Sequence, residues 1–177
     1  QPAAESSTAE IAEWYLKDDS RRIALVGLYL APFAGIAFLW FIAVIRSHVG
    51  ELEDRFFATV FLGSGLLFVA MLFTAAAVSR GLLDTFAAGM SRPGESETWR
   101  VGRAMVYALM NTFGIRMAAV FMFMTSTIGL RTAVLSRWVS FVGYAFGLAL
   151  LLLITSFAWI ALLFPLWVLL VSAYILS

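Results

Sequence analysis

The chain has no cysteine, a single histidine, and no aspartate or glutamate in any of its long apolar stretches. Without cysteine there can be no disulfide, zinc-thiolate site, cysteine nucleophile or cysteine-ligated iron–sulfur cluster. With one histidine, His48, a bis-histidine haem within one chain is excluded, and a zinc site would have to be completed by carboxylates. Glu51, Glu53 and Asp54 stand close to His48 in sequence, but such a cluster is a common kind of solvated loop, and it is read as one. Charge is scarce as well as unevenly placed. Only 13% of residues are Asp, Glu, Lys or Arg, and twelve basic against eleven acidic residues leave a net charge of +1. A chain so nearly neutral has no electrostatic footprint for nucleic acid.

What fills the chain instead is hydrocarbon. Hydrophobic residues make up 62% of its 177 residues and the mean hydropathy is +0.92, against a roughly half-apolar, quarter-charged mix in soluble domains. The sequence therefore predicts an all-α integral membrane protein in contact with the lipid bilayer. Apolar runs at residues 23–45, 56–78 and 104–130 each reach the ~20 residues that cross a ~30 Å hydrocarbon core. A helical reading follows from the solvent, because lipid offers no partners to backbone groups, and the runs lack the alternating pattern of a barrel strand.

The last run, Trp138 to Leu176, carries no charge, and as one straight helix it would approach twice the core thickness. Two spans, 138–157 and 159–176, are expected, with the break near "TSFAWIALLFP", residues 155–165, where Pro165 removes a backbone donor. The expected architecture is a polytopic bundle of five spans over residues 23–177. The alternative is four, with the last run forming one long kinked helix.

Residues 1–22 are read separately. The opening "QPAAESSTAE" lacks the basic-then-apolar pattern of a signal peptide. Ser7 three residues before Glu10 has capping-box spacing, and Ile11, Trp14 and Tyr15 follow at helical spacing, so an amphipathic helix on the membrane surface is expected. With alternating sides, Lys17, Arg21, Arg22, Arg80, Arg92, Arg100 and Arg103 share one side, against Arg46, Arg55, Arg131 and Arg137 on the other. The excess of positive charge places the N terminus in the cytoplasm, in a plasma or bacterial inner membrane.

Small residues recur four apart: Gly27, Ala31 and Gly35; Gly114 and Ala118; Gly143 and Gly147. Such rows let helix backbones approach closely, within one chain or between copies of it. In "GSG", residues 63–65, close packing accounts for the glycines without invoking Ser64 as a nucleophile, for which no base stands at the same depth. No catalytic triad, paired carboxylates or phosphate-binding loop occurs, so an enzyme is not the expected class, and the pattern names no cofactor.

One residue breaks the apolar pattern. In "NTFGIRMAAVF", residues 111–121, Arg116 lies thirteen residues after Arg103 and fifteen before Arg131. If those two mark the boundaries of the membrane, Arg116 is near its midplane, where a charge costs at least ~2.5 kcal/mol. It should face the bundle interior, a cavity or a partner. No acidic residue of the same chain occupies that depth, so its neighbours are neutral hydrogen-bonding groups, Asn111 and Thr112 foremost. Arg116, Asn111 and Thr112 form the candidate site, and Arg116 has three readings: it caps carbonyls and hydroxyls to hold the bundle together, it attracts an anion, a lipid phosphate or a polar ligand head or lines a pore, or it pairs with an acidic residue of another subunit. The leading expectation is a self-associating membrane protein whose site binds or conducts an anionic or polar solute, a channel or transport role. The competing one is an accessory or assembly subunit of a larger membrane complex, with Arg116 meeting a carboxylate of another subunit.

Overall fold

The computed structural model describes residues 18–50, 54–87, 97–152 and 158–176. Among these, every regular element is a helix. They are α1 (Asp18–Val49), α2 (Arg55–Ala87), α3 (Glu97–Tyr107), a π-helical segment (Ala108–Gly114), α4 (Ile115–Thr132), α5 (Arg137–Leu152), a 3₁₀ stretch (Ala158–Leu162) and α6 (Leu163–Leu176). α3, the π segment and α4 run on as one helical rod, Glu97–Thr132.

Three helices are long and apolar enough to cross a membrane: Arg21–Val49, Arg55–Thr85 and Glu97–Thr132. Arg137–Leu152 and Ile160–Leu176 are apolar but shorter. Of the final apolar run, Arg137–Leu152 is described as helix and Ala158–Leu162 as a 3₁₀ stretch that leads into α6; part of the expected break, residues 155–157, lies outside the described residues. Pro165 is not the break itself. It sits in the first turn of α6, where a missing N–H costs nothing because that group has no partner inside the helix. Of the surface helix expected over residues 1–22, only Asp18–Arg22 lies among the described residues, and these form the described start of α1.

The chain divides into two compact units. One comprises the described residues of Gln1–Gly35 and Met71–Met110, the other those of Ile36–Ala70 and Asn111–Ser177. In the first, Leu82 of α2 packs so closely on Gly102 of α3 that a Cβ there would stand 2.8 Å from its Cδ2, and Trp99 is buried.

The second unit holds the aromatic core. Phe38 and Phe41 of α1, Phe61 of α2, Phe121 of α4 and Phe164 of α6 are buried together, and Phe121 is their common neighbour, with ring centroids 4.7 Å from Phe61 and 5.0 Å from Phe38. α4 and α5 form an antiparallel hairpin over a short turn. Ala133 ends α4 in the left-handed conformation (φ 56°), and the Leu135 amide donates to the Gly129 carbonyl at 3.2 Å. Along the hairpin, a Cβ on Gly143 would meet Ser126, one on Gly147 would meet the Ala119 carbonyl oxygen at 3.3 Å, and Thr127 and Tyr144 share a 2.7 Å hydrogen bond between their hydroxyls. The expected small-residue row of α5 is therefore a helix contact. Gly27 and Gly63 are different, since a Cβ on either would meet nothing within 4 Å.

Candidate functional site

The candidate site is built around the π segment, Ala108–Gly114, and the first turn of α4. π turns bond i to i+5, are rare, and concentrate at functional positions. The local sequence favours one here. Asn111 and Thr112 are poor helix formers whose side chains compete for backbone groups, and Gly114 adds backbone freedom. Both Asn111 and Thr112, which sequence reasoning placed beside Arg116, lie inside this widened turn.

Arg116 follows immediately. Its guanidinium donates through Nη1 to the Thr112 carbonyl oxygen, one turn earlier. The structure thus brings Arg116 and Thr112 together through the backbone of Thr112, while Asn111 and Thr112 are themselves half-buried. Among the described residues the ion pairs are Arg80–Asp84, Arg100–Glu97 and Arg131–Asp54, and none involves Arg116.

The position of Arg116 differs from one expectation. Its side chain is exposed on the surface of the chain rather than turned into the bundle. The physical reason lies on the other side of the same helix. Ala118, Ala119, Phe121, Met122, Thr125 and Ser126 are the buried face of α4, and at 100° per residue Arg116 lies about 180° from Thr125. That face is close-packed and holds no carboxylate, so it offers a guanidinium neither room nor an ion partner. Phe113, three residues before Arg116 and 53% exposed, shares the outward face.

Other positions singled out in the sequence take ordinary places. His48 stands in the last turn of α1, exposed, with Nδ1 2.9 Å from the Val44 carbonyl oxygen. Ser64 is buried and its hydroxyl donates to the Phe61 carbonyl of its own helix at 3.1 Å. Among the described residues no group of three or more His, Asp or Glu side chains could hold a metal ion. Two shallow surface hollows run along α3 and the end of α2, with Leu82, Glu97, Val101 and Gly102 in their walls, and neither is lined by Arg116, Asn111 or Thr112.

Sequence reasoning missed the π segment and the outward direction of Arg116. A signal for the first was present, in the run of weak helix formers "NTFG" within an apolar stretch. No family model, curated protein or solved structure matches the chain.

Proposed function

We propose that the chain is an integral membrane protein of five spans that works in an assembly, and that Arg116, Asn111 and Thr112 form a polar site within the membrane for an anionic or polar group brought from outside the chain. The composition and the three long apolar helices support the membrane reading. The two shorter apolar helices, 16 residues in α5 and 14 in α6, support the fourth and fifth spans where the bilayer is locally thin or a helix end is polar.

The single observation that carries the site is the exposed guanidinium of Arg116, midway between Arg103 and Arg131, whose hydrogen bond is to a carbonyl of its own helix. A charge in hydrocarbon is retained where something offsets it. Its outward position favours a subunit whose site is completed by a neighbour over a chain that encloses a solute by itself.

The test is the size of the protein extracted gently from its own membrane, measured by native mass spectrometry for the wild type and for Arg116→Gln. The expected result is a wild-type particle well above the 19.5 kDa of one chain, and a smaller one for the variant. Equal particles from both, with helix content unchanged, would overturn the reading.

A further inference from the structure

Four sources could supply the group that Arg116 needs: an anionic lipid, a free solute, a second copy of the chain, or a different polypeptide. Depth decides against the first. At the midplane of a ~30 Å hydrocarbon core Arg116 would be ~15 Å from either boundary. A lipid phosphate could meet it only if the arginine snorkelled and the bilayer thinned around it, so a group carried at the same depth fits better.

A free anion would need a polar path. The two hollows described lie along α2 and α3, and Arg116 lines neither. Its neighbours one turn away on the rod are Thr112, Phe113 and Val120, of which only Thr112 is polar.

A second copy fails on composition. No Asp or Glu lies within residues 23–45, 56–78, 104–130 or 138–176, so copies of this chain would meet the guanidinium with another guanidinium or with neutral groups. Like charges brought together in low dielectric repel.

We infer that Arg116 docks a carboxylate carried on an apolar helix of a different membrane polypeptide, with Phe113 packing beside the contact and Asn111 and Thr112 as neutral hydrogen-bonding neighbours. This rests on the proposed function and names the partner class of the same site. The chemistry fits. A guanidinium has five N–H donors in a planar fork, and here one nitrogen is turned to the Thr112 carbonyl, which fixes the side chain and leaves donors for a bidentate carboxylate. Pairing also neutralises both charges at a depth where neither chain can do so alone. The interaction reaches beyond the charge, because the exposed Phe113 supplies apolar area one turn from it.

The experiment is photocrosslinking in the native membrane with Phe113→p-benzoylphenylalanine, in the wild-type background and with Arg116→Gln or Arg116→Lys, followed by sequencing of the crosslinked peptide. The expected product joins this chain to another polypeptide through an apolar helix containing Asp or Glu. It should fall on the order of thirtyfold or more in Arg116→Gln, as truncating one partner of a buried charge pair does, and survive in part in Arg116→Lys. Reversal with Arg116→Asp should abolish it, and Arg at the partner's acidic position should restore it, a rescue that a merely misfolded variant would not show. Crosslinks only between copies, only to lipid, or to a helix without a carboxylate would overturn the inference. If the native particle still depends on Arg116 in that case, the proposed function stands and only the partner class is wrong. If neither the particle nor the crosslink responds to Arg116→Gln, both fail.

Discussion

Gly143 of α5 and Ser126 of α4 are in such close contact that a Cβ on the glycine would stand 2.2 Å from the serine Oγ, and 2.8 Å from Trp167 Nε1 of α6. Ser126, Trp167 and the nearby Ser140 are fully buried, so three helices meet where neither neighbour can withdraw to solvent. Gly143→Ala is therefore expected to destabilise the bundle by about 1–3 kcal/mol, the range for overpacking a filled core. Gly63→Ala is the matched control, because its Cβ would meet nothing within 4 Å. It should leave stability unchanged or raise it by up to ~1 kcal/mol through helix propensity. Denaturant unfolding in detergent micelles measures both, and equal effects would contradict the close approach.

Ser126 also invites a prediction of opposite sign. Its Oγ, with Ser140 Oγ and Trp167 Nε1, finds no hydrogen-bond partner among the described residues. A buried hydroxyl left unpaired costs about 1–3 kcal/mol, so Ser126→Ala should be neutral or stabilising, and should soften the penalty of Gly143→Ala when the two are combined. A loss of more than ~1 kcal/mol in the single variant would mean that the hydroxyl is bonded, with the Trp167 indole N–H, also beside Gly143, as a candidate donor.

Phe121 is the central ring of the aromatic core. It is fully buried, stacked on Phe61 at 4.7 Å, 5.0 Å from Phe38, and 6.3 Å from both Phe41 and Phe164. Four neighbours on three helices cannot all collapse into the space that its ring would vacate. Phe121→Ala should cost about 3–5 kcal/mol, whereas Phe141→Ala, on a ring that is 64% exposed, should stay within ~0.5 kcal/mol in micelles. Thermal unfolding followed by circular dichroism separates the two.

How far the sequence could be read follows from what each signal physically reports. Apolar runs at 23–45 and 56–78 correspond to helices over Asp18–Val49 and Arg55–Ala87. Hydropathy marks where hydrocarbon would begin, while the helix continues through polar residues such as Arg46 and Arg80 because nothing there terminates it. In the last run, the 3₁₀ stretch at Ala158–Leu162 falls inside the region, 155–165, where the length of the run led a break to be expected. The row Gly143/Gly147 was legible and became a contact, but Gly27, which heads a row of the same spacing, and Gly63 of "GSG", also read as a packing glycine, would each place a Cβ with nothing within 4 Å. Small residues permit close approach, and a neighbouring helix must still be there to use it. Arg116 was conspicuous as a charge in an apolar run, yet its outward direction was not, because azimuth depends on which face of α4 the other helices cover.

Asp54 sits just before α2, and its two carboxylate oxygens do different work. Oδ1 accepts from the Phe56 amide at 2.9 Å, capping the helix, while Oδ2 lies 3.8 Å from Arg131 Nη1. The Arg131 guanidinium carbon in turn stands 4.4 Å from the centroid of the Phe57 ring. Both members of the ion pair are more than half exposed, at 54% and 60%, so the pair contributes about 0–1 kcal/mol and is screened by salt. A cap contributes typically ~1 kcal/mol and does not depend on ionic strength in the same way. The cap should therefore dominate. Asp54→Ala is expected to cost ~1 kcal/mol or slightly more, and to keep most of that cost at high salt. Asp54→Asn, which retains the accepting oxygen and discards the charge, should cost only a few tenths of that. Arg131→Lys should lose part of the ring contact, which for an exposed cation over an aromatic face is worth about 0.5–1 kcal/mol. Unfolding measured for the three variants at low and high salt checks the ranking: if Asp54→Asn were as costly as Asp54→Ala, and the cost vanished in salt, the charge and not the cap would be holding this end of α2.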